Sequence, residues 1–498
     1  MSFRGGSFEE LKYRLILILP RSQKVLVLPT GNGDCLPTVH IPQGTRVAKE
    51  LQKEIRDLWR LDVIFLDLLP PEDGYLPCAI AEVVRSQGLT DFVPVGTEQL
   101  LDVGLGEALL ARLVAAFKED SFSNGPFSRV GWIDQAIAWL EAETGKRLSS
   151  KSQIEQYNAG AQFALLRLTV EQNSVYWLKA ILGPGESELA VTQALVRLYP
   201  EALPVVLSVN QAWGAWLTAD AGDPLPEGAD LPIMQQAVGT MAELQRHTVG
   251  YRNLLLDVGG LDRSPRVLHS RCRELFVYLE EAMAQQTSTK APRLEPKRLR
   301  HMERLAEDVC LRLDDLVIPD AIVHGDMNRG NVVYDGVRCR FLDWREAYVG
   351  NAFVSLEHLL LLSSREMSYR ETSRLKEAYA RAWRDLIPEW RIGAALKLTP
   401  VVAGLSALYG RGDWLDSERR NSPARLRYAR NIARHLDRAL QSSELSDLQS
   451  SPSFSGCAGA LPRKCQPNTI ANSVEHQGSV AARPVEHLHH DLAMREES

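Results

Sequence analysis

Apolar positions recur along this chain with two different periods, and the changes from one to the other outline its organisation. YRLILILP and KVLVLP, near the start, are short β-rich runs split by polar Arg21-Ser22-Gln23, which predicts a hairpin. In GTRVAKELQKEIRDLWRLDVIFL, residues Val47, Leu51, Ile55 and Leu58 fall at helical spacing. After the break at Pro70-Pro71, LPCAIAEVV reads as a further strand, so residues 1–104 form a small α/β domain. Residues 105–150 look helical and connecting, with amphipathic WIDQAIAWLEAETG closed by Gly145. IEQYNAGAQFALLRLTV and SVYWLKAIL then predict strand, small-residue turn, strand, polar turn, strand. Beyond them helical patterns dominate, as in MQQAVGTMAELQRH, LFVYLEEAMAQQ and HMERLAEDVCLRL.

The main body therefore spans 151–440, with an N-lobe of about 151–220 and a mainly helical C-lobe of about 221–440; the class is α+β. Residues 441–498 are Ser-rich, poor in aromatics and without periodicity, which predicts a disordered tail. Its His487, His489 and His490 read as a solvated group, not a metal site.

At 498 residues the chain exceeds one ordinary core, which agrees with several domains. Apolar residues at 45% and charged residues at 24% are ordinary for a globular protein. A net charge of -6 with no long basic run argues against nucleic acid or an anionic membrane as partner. The apolar run in MSFRGGSFEELKYRLILILP is too short for a secretory signal or a membrane span. Seven scattered cysteines, none in a C-x-x-C pair, disfavour a disulfide framework or a thiolate zinc site and point to the cytoplasm. Nothing in the sequence sets an oligomeric state.

The chemistry concentrates in AIVHGDMNRGNVVYDGVRCRFLDWREAY, residues 321–348. Asp335-Gly336 predicts a two-residue type I′ hairpin turn. Val337, Cys339 and Phe341 alternate with Arg338 and Arg340, as in a half-buried strand. With Tyr334 paired to Val337, Asn331 lies opposite Arg340, and Asp343 emerges at the same open end beside the loop of Asp326. Asn331 and Asp343 offer oxygens of the kind Mg²⁺ accepts. Asp326 offers a carboxylate to orient or deprotonate an attacking hydroxyl. The bland alternative, a loop of turn-forming residues, leaves the ordered succession of motif, hairpin and Asp-Trp unexplained.

Upstream, Val175, Trp177 and Lys179 share one strand face, and an ammonium among apolar neighbours calls for an anionic partner. Glu188, opening the helical run ELAVTQALVRLY, is the natural counter-ion, with Glu186 as its substitute. Asn158-Ala159-Gly160-Ala161 reads as a small-residue turn able to bring backbone N–H groups near phosphates.

HGDMNRGN is similar to the H-G-D-x-x-x-x-N catalytic loop of the aminoglycoside phosphotransferase (choline kinase-like) family, and FLDW resembles its metal-binding Asp-Trp segment. The usual loop reads close to HGDLHPGN; Asn328 and Arg329 replace its His and Pro, and Ser355 stands where many members carry an acidic residue. The resemblance implies a two-lobed protein-kinase-like fold with Asp326 catalytic and His324 bracing the loop. It implies Mg²⁺ on Asn331 and Asp343, and ATP or GTP on Lys179, itself held by Glu188, with Asn158 and Gly160 near the phosphates. TADAGDPL, residues 218–225, resembles the family's connection between lobes. The chain passes from Asp343 into FVSLEHLLLL within about ten residues, leaving no room for the segment on which kinases dock peptides, so the expected acceptor is a small-molecule hydroxyl.

A non-catalytic pseudokinase or scaffold is the alternative, disfavoured by the presence of all five polar groups. The N-terminal α/β domain resembles the Nudix fold in element order, with Lys53-Glu54 for its Arg-Glu pair. Asp57-Leu58 and Thr45 depart from its row of metal-binding acids, so this domain reads as non-catalytic.

Overall fold

The computed structural model describes residues 10–441, apart from 32, 72–75, 102–104, 119–124, 184–186, 227, 364–366, 411 and 416–419. The expected tail, its histidines and Glu186 lie outside the described residues. The chain forms two compact units. One holds Met1–Thr248, Asn253–Gly260 and Asp326–Ala347; the other holds Val249–Arg252, Leu261–Gly325 and Tyr348–Ser498.

In the first unit β1 (Glu10–Leu19), β2 (Lys24–Thr30), β3 (Gly33–Cys35), β4 (Thr38–Pro42), β5 (Leu61–Leu69), β6 (Cys78–Ser86) and β7 (Val93–Val95) build a mixed sheet. Its order is β3-β2-β1-β6-β5, with β4 also on β1 and β7 on β2; β1 and β6 are parallel. Leu15 to Ile18 are all fully buried because the sheet is covered on both faces. Leu15 and Leu17 meet Leu51 and Ile55 of α1 (Val47–Trp59). Ile16 and Ile18 point the other way, toward α2 (Glu107–Ala116) and α3 (Trp132–Thr144).

Two N-terminal expectations need correction. Leu58 is 57% exposed, and Gln52 completes the buried face of α1 instead. LDVIFL does not continue the helix; Arg60 adopts a left-handed conformation that ends α1, and β5 begins at Leu61.

The second sheet comprises β8 (Ile154–Gly160), β9 (Phe163–Thr169), β10 (Val175–Ile181), β11 (Val206–Asn210) and β12 (Ala215–Ala219), in the antiparallel order β11-β12-β10-β9-β8. Leu166, Leu168, Leu178 and Ala180 share one core with Ile16, Ile18 and with Trp132, Ile133, Ala136 and Leu140 of α3. The expected boundaries near 104 and 150 are thus not breaks in packing. Helices α2 and α3 share a core with both sheets and do more than connect them.

Buried glutamines join the two sheets. Gln156, fully buried, accepts the Phe65 N–H at 2.8 Å and donates to the Phe65 carbonyl at 3.0 Å. Gln52 accepts the Gln156 N–H at 2.8 Å and donates to the Val63 carbonyl at 2.9 Å. Each amide is satisfied, as a buried polar network requires.

Glu82 on β6 is 2% exposed and accepts the Gly131 N–H at 2.7 Å. Burial pushes its carboxyl up to about 7, with Asp134 adding to the effect. A folded value above the unfolded one favours the proton in the native state. Stability is therefore greatest below the ordinary carboxylate range and declines as pH rises through about 7. The loss amounts to at most about 3 kcal/mol. Glu82→Gln should raise the melting temperature at pH 8 and change it little at pH 5. Calorimetry at both values checks this, and identical pH dependence in the two proteins would refute it.

The first unit continues with α4 (Ser187–Leu198), β13 (Asp223–Pro224), α5 (Leu231–Thr248), β16 (Val332–Tyr334) and β17 (Cys339–Phe341), the last two forming a sheet with β13. Gly222 allows this close approach: its φ is +110°, and a Cβ there would collide with the Tyr334 carbonyl.

The short helix α6 (Arg252–Asp257) precedes the second unit's β14 (Leu261–Arg263), α7 (Pro265–Ala284), α8 (Pro296–Asp315), β15 (Asp320–Val323) and β18 (Tyr348–Asn351). Next come α9 (Phe353–Ser363), α10 (Tyr369–Trp383), α11 (Glu389–Tyr409) and α12 (Pro423–Gln441). Its small sheet runs β14-β18-β15. Helix α11 is apolar along most of its length because it packs against α7, α8, α9 and α12.

Candidate active site

The hairpin β16–β17 differs in register from expectation. Tyr334 pairs with Cys339, Val333 with Arg340 and Val332 with Phe341, so neither Tyr334–Val337 nor Asn331–Arg340 is a pair. The cause is Asp335. Its carboxylate accepts the N–H groups of Val337 (2.9 Å) and Arg338 (2.7 Å) and binds Arg340 at 2.6 Å, which lengthens the loop to four residues. Of Asp335 and Gly336, only Gly336 has positive φ, so the turn is not type I′. The Arg340 bond and the two N–H groups hold the Asp335 carboxyl down at about 2.

A two-residue shift preserves which side chains share a face, and the open end still gathers the expected residues. The Leu342 N–H donates to the Asn331 carbonyl at 2.9 Å, placing Asp343 beside Asn331. The Asn331 amide donates to the Asp326 carbonyl oxygen at 2.8 Å and lies 3.4 Å from Asp326 Oδ2, which leaves its oxygen end for another ligand. Asn328 caps this turn: its Oδ1 accepts the N–H groups of Gly330 (2.9 Å) and Asn331 (3.2 Å), and its amide reaches Asp326 Oδ2 at 3.4 Å. The sequence signal for this role, an Asn one step before a turn, was present but attached to no site.

Lys179 on β10 bonds two carboxylates, Glu188 at 2.6 Å and Asp343 at 2.9 Å. Glu188 was the expected partner; Asp343 links the lysine directly to the opposite half of the site. Burial pulls the Lys179 amine down, but Asp343 and Glu188 together outweigh it, and the group is raised above its ordinary range. Glu188 is 1% exposed, and its Oε2 is buried without a hydrogen-bond partner. Burial pushes its carboxyl up to about 7 against the pull of Lys179, with the Asp343 charge adding to the rise. Asp343 itself has φ +63°, a left-handed conformation rare outside glycine and typical of strained functional positions.

Asn158 and Gly160 are not in a loop. Both lie in β8, paired with Leu165 and Phe163, and the turn falls at Ala161-Gln162. Lys179 also pairs with Leu165, so Asn158 stands in its cross-strand row, two strands away or about 10 Å. Both backbone polar groups of Ala161 in this turn are engaged. The Ala161 N–H donates to the Asp67 carboxylate of β5, and the Ala161 carbonyl accepts the Phe127 N–H at 3.3 Å. Asp67 is in turn held by Arg112 at 3.1 Å. Capture across more than ninety residues leaves no local sequence signal.

An aromatic ledge beside Lys179 was not foreseen as a unit. Trp177, two residues earlier on the same face, packs on Tyr157 with ring centroids 5.0 Å apart and donates to Asp220 at 2.7 Å. Lys49 of α1 bonds the Tyr157 hydroxyl at 3.0 Å and Glu155 at 2.9 Å.

His324 follows β15 in the second unit and is fully buried. His358 is half-buried, and desolvation, followed by the charges of His324, Arg263 and His435, pushes it down to about 4.

Among the described residues no group of three or more His, Cys, Asp or Glu could hold a metal. Asp343 and the Asn331 oxygen supply one carboxylate and one amide ligand. That is the sparse protein set Mg²⁺ accepts when water and phosphate oxygens complete its shell, so the residues fit it.

A lysine held by a helix glutamate on an antiparallel sheet, with an Asp–Asn–Asp loop and hairpin, is the set of groups that kinase-like phosphotransferases use. Residues 233–396 match the model of the phosphotransferase enzyme family. Asp326, Asn331 and Asp343 lie inside this match; Lys179 and Glu188 precede it. Similar solved structures include a macrolide 2′-phosphotransferase from Brachybacterium faecium, at 16% identity and TM-score 0.42, covering 60% of this chain and 96% of that one. A choline kinase from Cryptosporidium parvum Iowa II shares 10% identity with TM-score 0.42, covering 64% and 96%. An aminoglycoside phosphotransferase from Alicyclobacillus acidocaldarius shares 13% with TM-score 0.38, covering 57% and 89%. No curated protein matches the sequence.

Proposed function

We propose that this protein transfers the γ-phosphate of ATP or GTP to a hydroxyl of a small molecule. The supporting observation is Lys179 held between Glu188 and Asp343, with Asp343 joined through Leu342 and Asn331 to the loop of Asp326. In this reading Lys179 binds phosphate oxygens and Glu188 keeps it in place. Asp326 orients the acceptor hydroxyl and takes its proton, and Asn331 and Asp343 hold Mg²⁺. The metal, when bound, neutralises charge developing on the phosphates. With the Ala161 N–H and carbonyl already bonded to Asp67 and Phe127, this reading puts phosphate binding on Lys179 and the metal ligands.

The deciding experiment is nucleotide consumption with Mg²⁺ across aminoglycosides, macrolides, amino alcohols and sugars. Turnover with one acceptor supports the proposal and names the substrate. Magnesium-dependent nucleotide binding without turnover on the whole panel favours the pseudokinase reading, and absence of nucleotide binding defeats both.

Trp177 sits one pleat repeat, about 7 Å, from Lys179, a separation suited to a nucleobase when the lysine holds its phosphates. Trp177→Ala should raise the nucleotide KM about tenfold, the value of one base-stacking contact, with kcat little changed. An unchanged KM would remove the ledge from the site.

A further inference from the structure

We infer that Lys49 of α1 is a positioning residue for nucleotide binding: it fixes Tyr157 against Trp177 and so holds the aromatic ledge beside Lys179 in shape for a nucleobase. The inference rests on the phosphotransferase reading and adds to it a group from outside the sheet that carries Lys179.

Three strands and one helix build the arrangement. Trp177 of β10, Arg167 of β9 and Glu155 of β8 pair in one cross-strand row, so their side chains share a face. Tyr157 is the extra residue where the register of β8 shifts between Gln156 and Asn158. Bulges of this kind re-aim a side chain, and the Tyr157 ring comes to 5.0 Å from Trp177 at an interplanar angle of 59°. Lys49 closes the group: its ammonium stands 4.4 Å from the centroid of the Tyr157 ring, bonds the hydroxyl at 3.0 Å and bonds Glu155 at 2.9 Å. Glu155 is itself held by Arg167 at 2.7 Å. Trp177 is thus fixed from two sides, by Asp220 on its indole N–H at 2.7 Å and by Tyr157 on its ring.

Folding gives little reason for the lysine. The side chains of Lys49 and Glu155 are 41% and 35% exposed, and ion pairs this open contribute little stability. Helix α1 is already anchored to β8 by Gln52, which accepts the Gln156 N–H. What Lys49 adds is a hold on the face that carries Trp177 and Lys179. Burial pulls its amine down, but the Tyr157 hydroxyl and the Glu155 carboxylate outweigh it, and the group is raised above its ordinary range. The lysine is therefore charged at neutral pH, and the ledge is ordered before a ligand arrives, which lowers the cost of binding.

Titration of the full chain with ATP and with GTP, in Mg²⁺, tests the role. Lys49→Met should weaken the nucleotide that binds by about threefold, within the worth of a single hydrogen bond, while the melting temperature stays within about 2 °C of wild type. Lys49→Arg keeps the cation and should restore the affinity. Lys53→Met removes a charge bonded to Glu54 on the same helix and should change nothing; an equal loss there would reduce the effect to net charge and overturn the inference. In a Trp177→Ala background Lys49→Met should have no further effect, because its action runs through the ledge. Equal losses in both backgrounds would overturn the positioning role. Affinity that falls in Trp177→Ala but not in Lys49→Met would overturn this inference alone and leave the phosphotransferase reading standing. Absence of nucleotide binding by wild type would defeat that reading and this inference together.

Discussion

Asp326→Asn should lower kcat by about 10²–10⁴-fold, the range over which a positioned general base contributes. Asparagine keeps the shape of the side chain and its contacts with the amides of Asn328 and Asn331, which lie 3.4 Å from Oδ2. It cannot accept a proton. In the proposed reading Lys179 binds phosphate, Glu188 holds Lys179, and Asn331 and Asp343 bind the metal; all are untouched, so nucleotide affinity should stay within about twofold. Steady-state rates together with direct nucleotide titration separate the two effects. Full turnover by the variant would remove the catalytic role. A parallel fall in nucleotide affinity would instead mark Asp326 as a metal or phosphate ligand.

The parts of this site that were legible in the sequence are those fixed by short-range pattern. The Lys179–Glu188 pair followed from one strand face and the first turn of the next helix. The meeting of Asp326, Asn331 and Asp343 survived a wrong hairpin register because the error was two residues, and strand faces repeat every two. The register itself depended on whether Asp335 would capture the N–H groups of Val337 and Arg338, a local choice that turn statistics left open. Strand β5 was hidden for another reason: LDVIFL continues the apolar content of α1 without a Gly or Pro, and only the left-handed Arg60 separates them. The fate of the β8–β9 turn was out of reach altogether. Asp67, Gln52 and Gln156 act across the fold, and buried polar contacts of that range leave no periodicity to read.

Asp343→Asn should produce the other large effect, a fall in kcat of about 10²–10³-fold, comparable to removing one preorganised electrostatic partner of the transition state. A hard cation prefers charged carboxylate oxygens to an amide, so the magnesium concentration giving half-maximal rate should rise as well. The geometry adds a second readout. Asp343 and Glu188 share Lys179, and the Asp343 charge helps hold the Glu188 carboxyl up at about 7. The proposed role of Glu188 needs its ionised form, so kcat/KM in wild type should fall as pH drops through about 7. Removing the neighbouring charge lets Glu188 ionise more easily, and the acid limb of the variant should move to lower pH. A rate loss with unchanged magnesium dependence but a shifted acid limb would mean that Asp343 serves only Lys179. A raised magnesium requirement with the limb in place would mean that it serves only the metal. Both changes together are expected if the aspartate holds Lys179 in the free protein and the ion in the complex, which its bond to Lys179 and its place beside Asn331 permit.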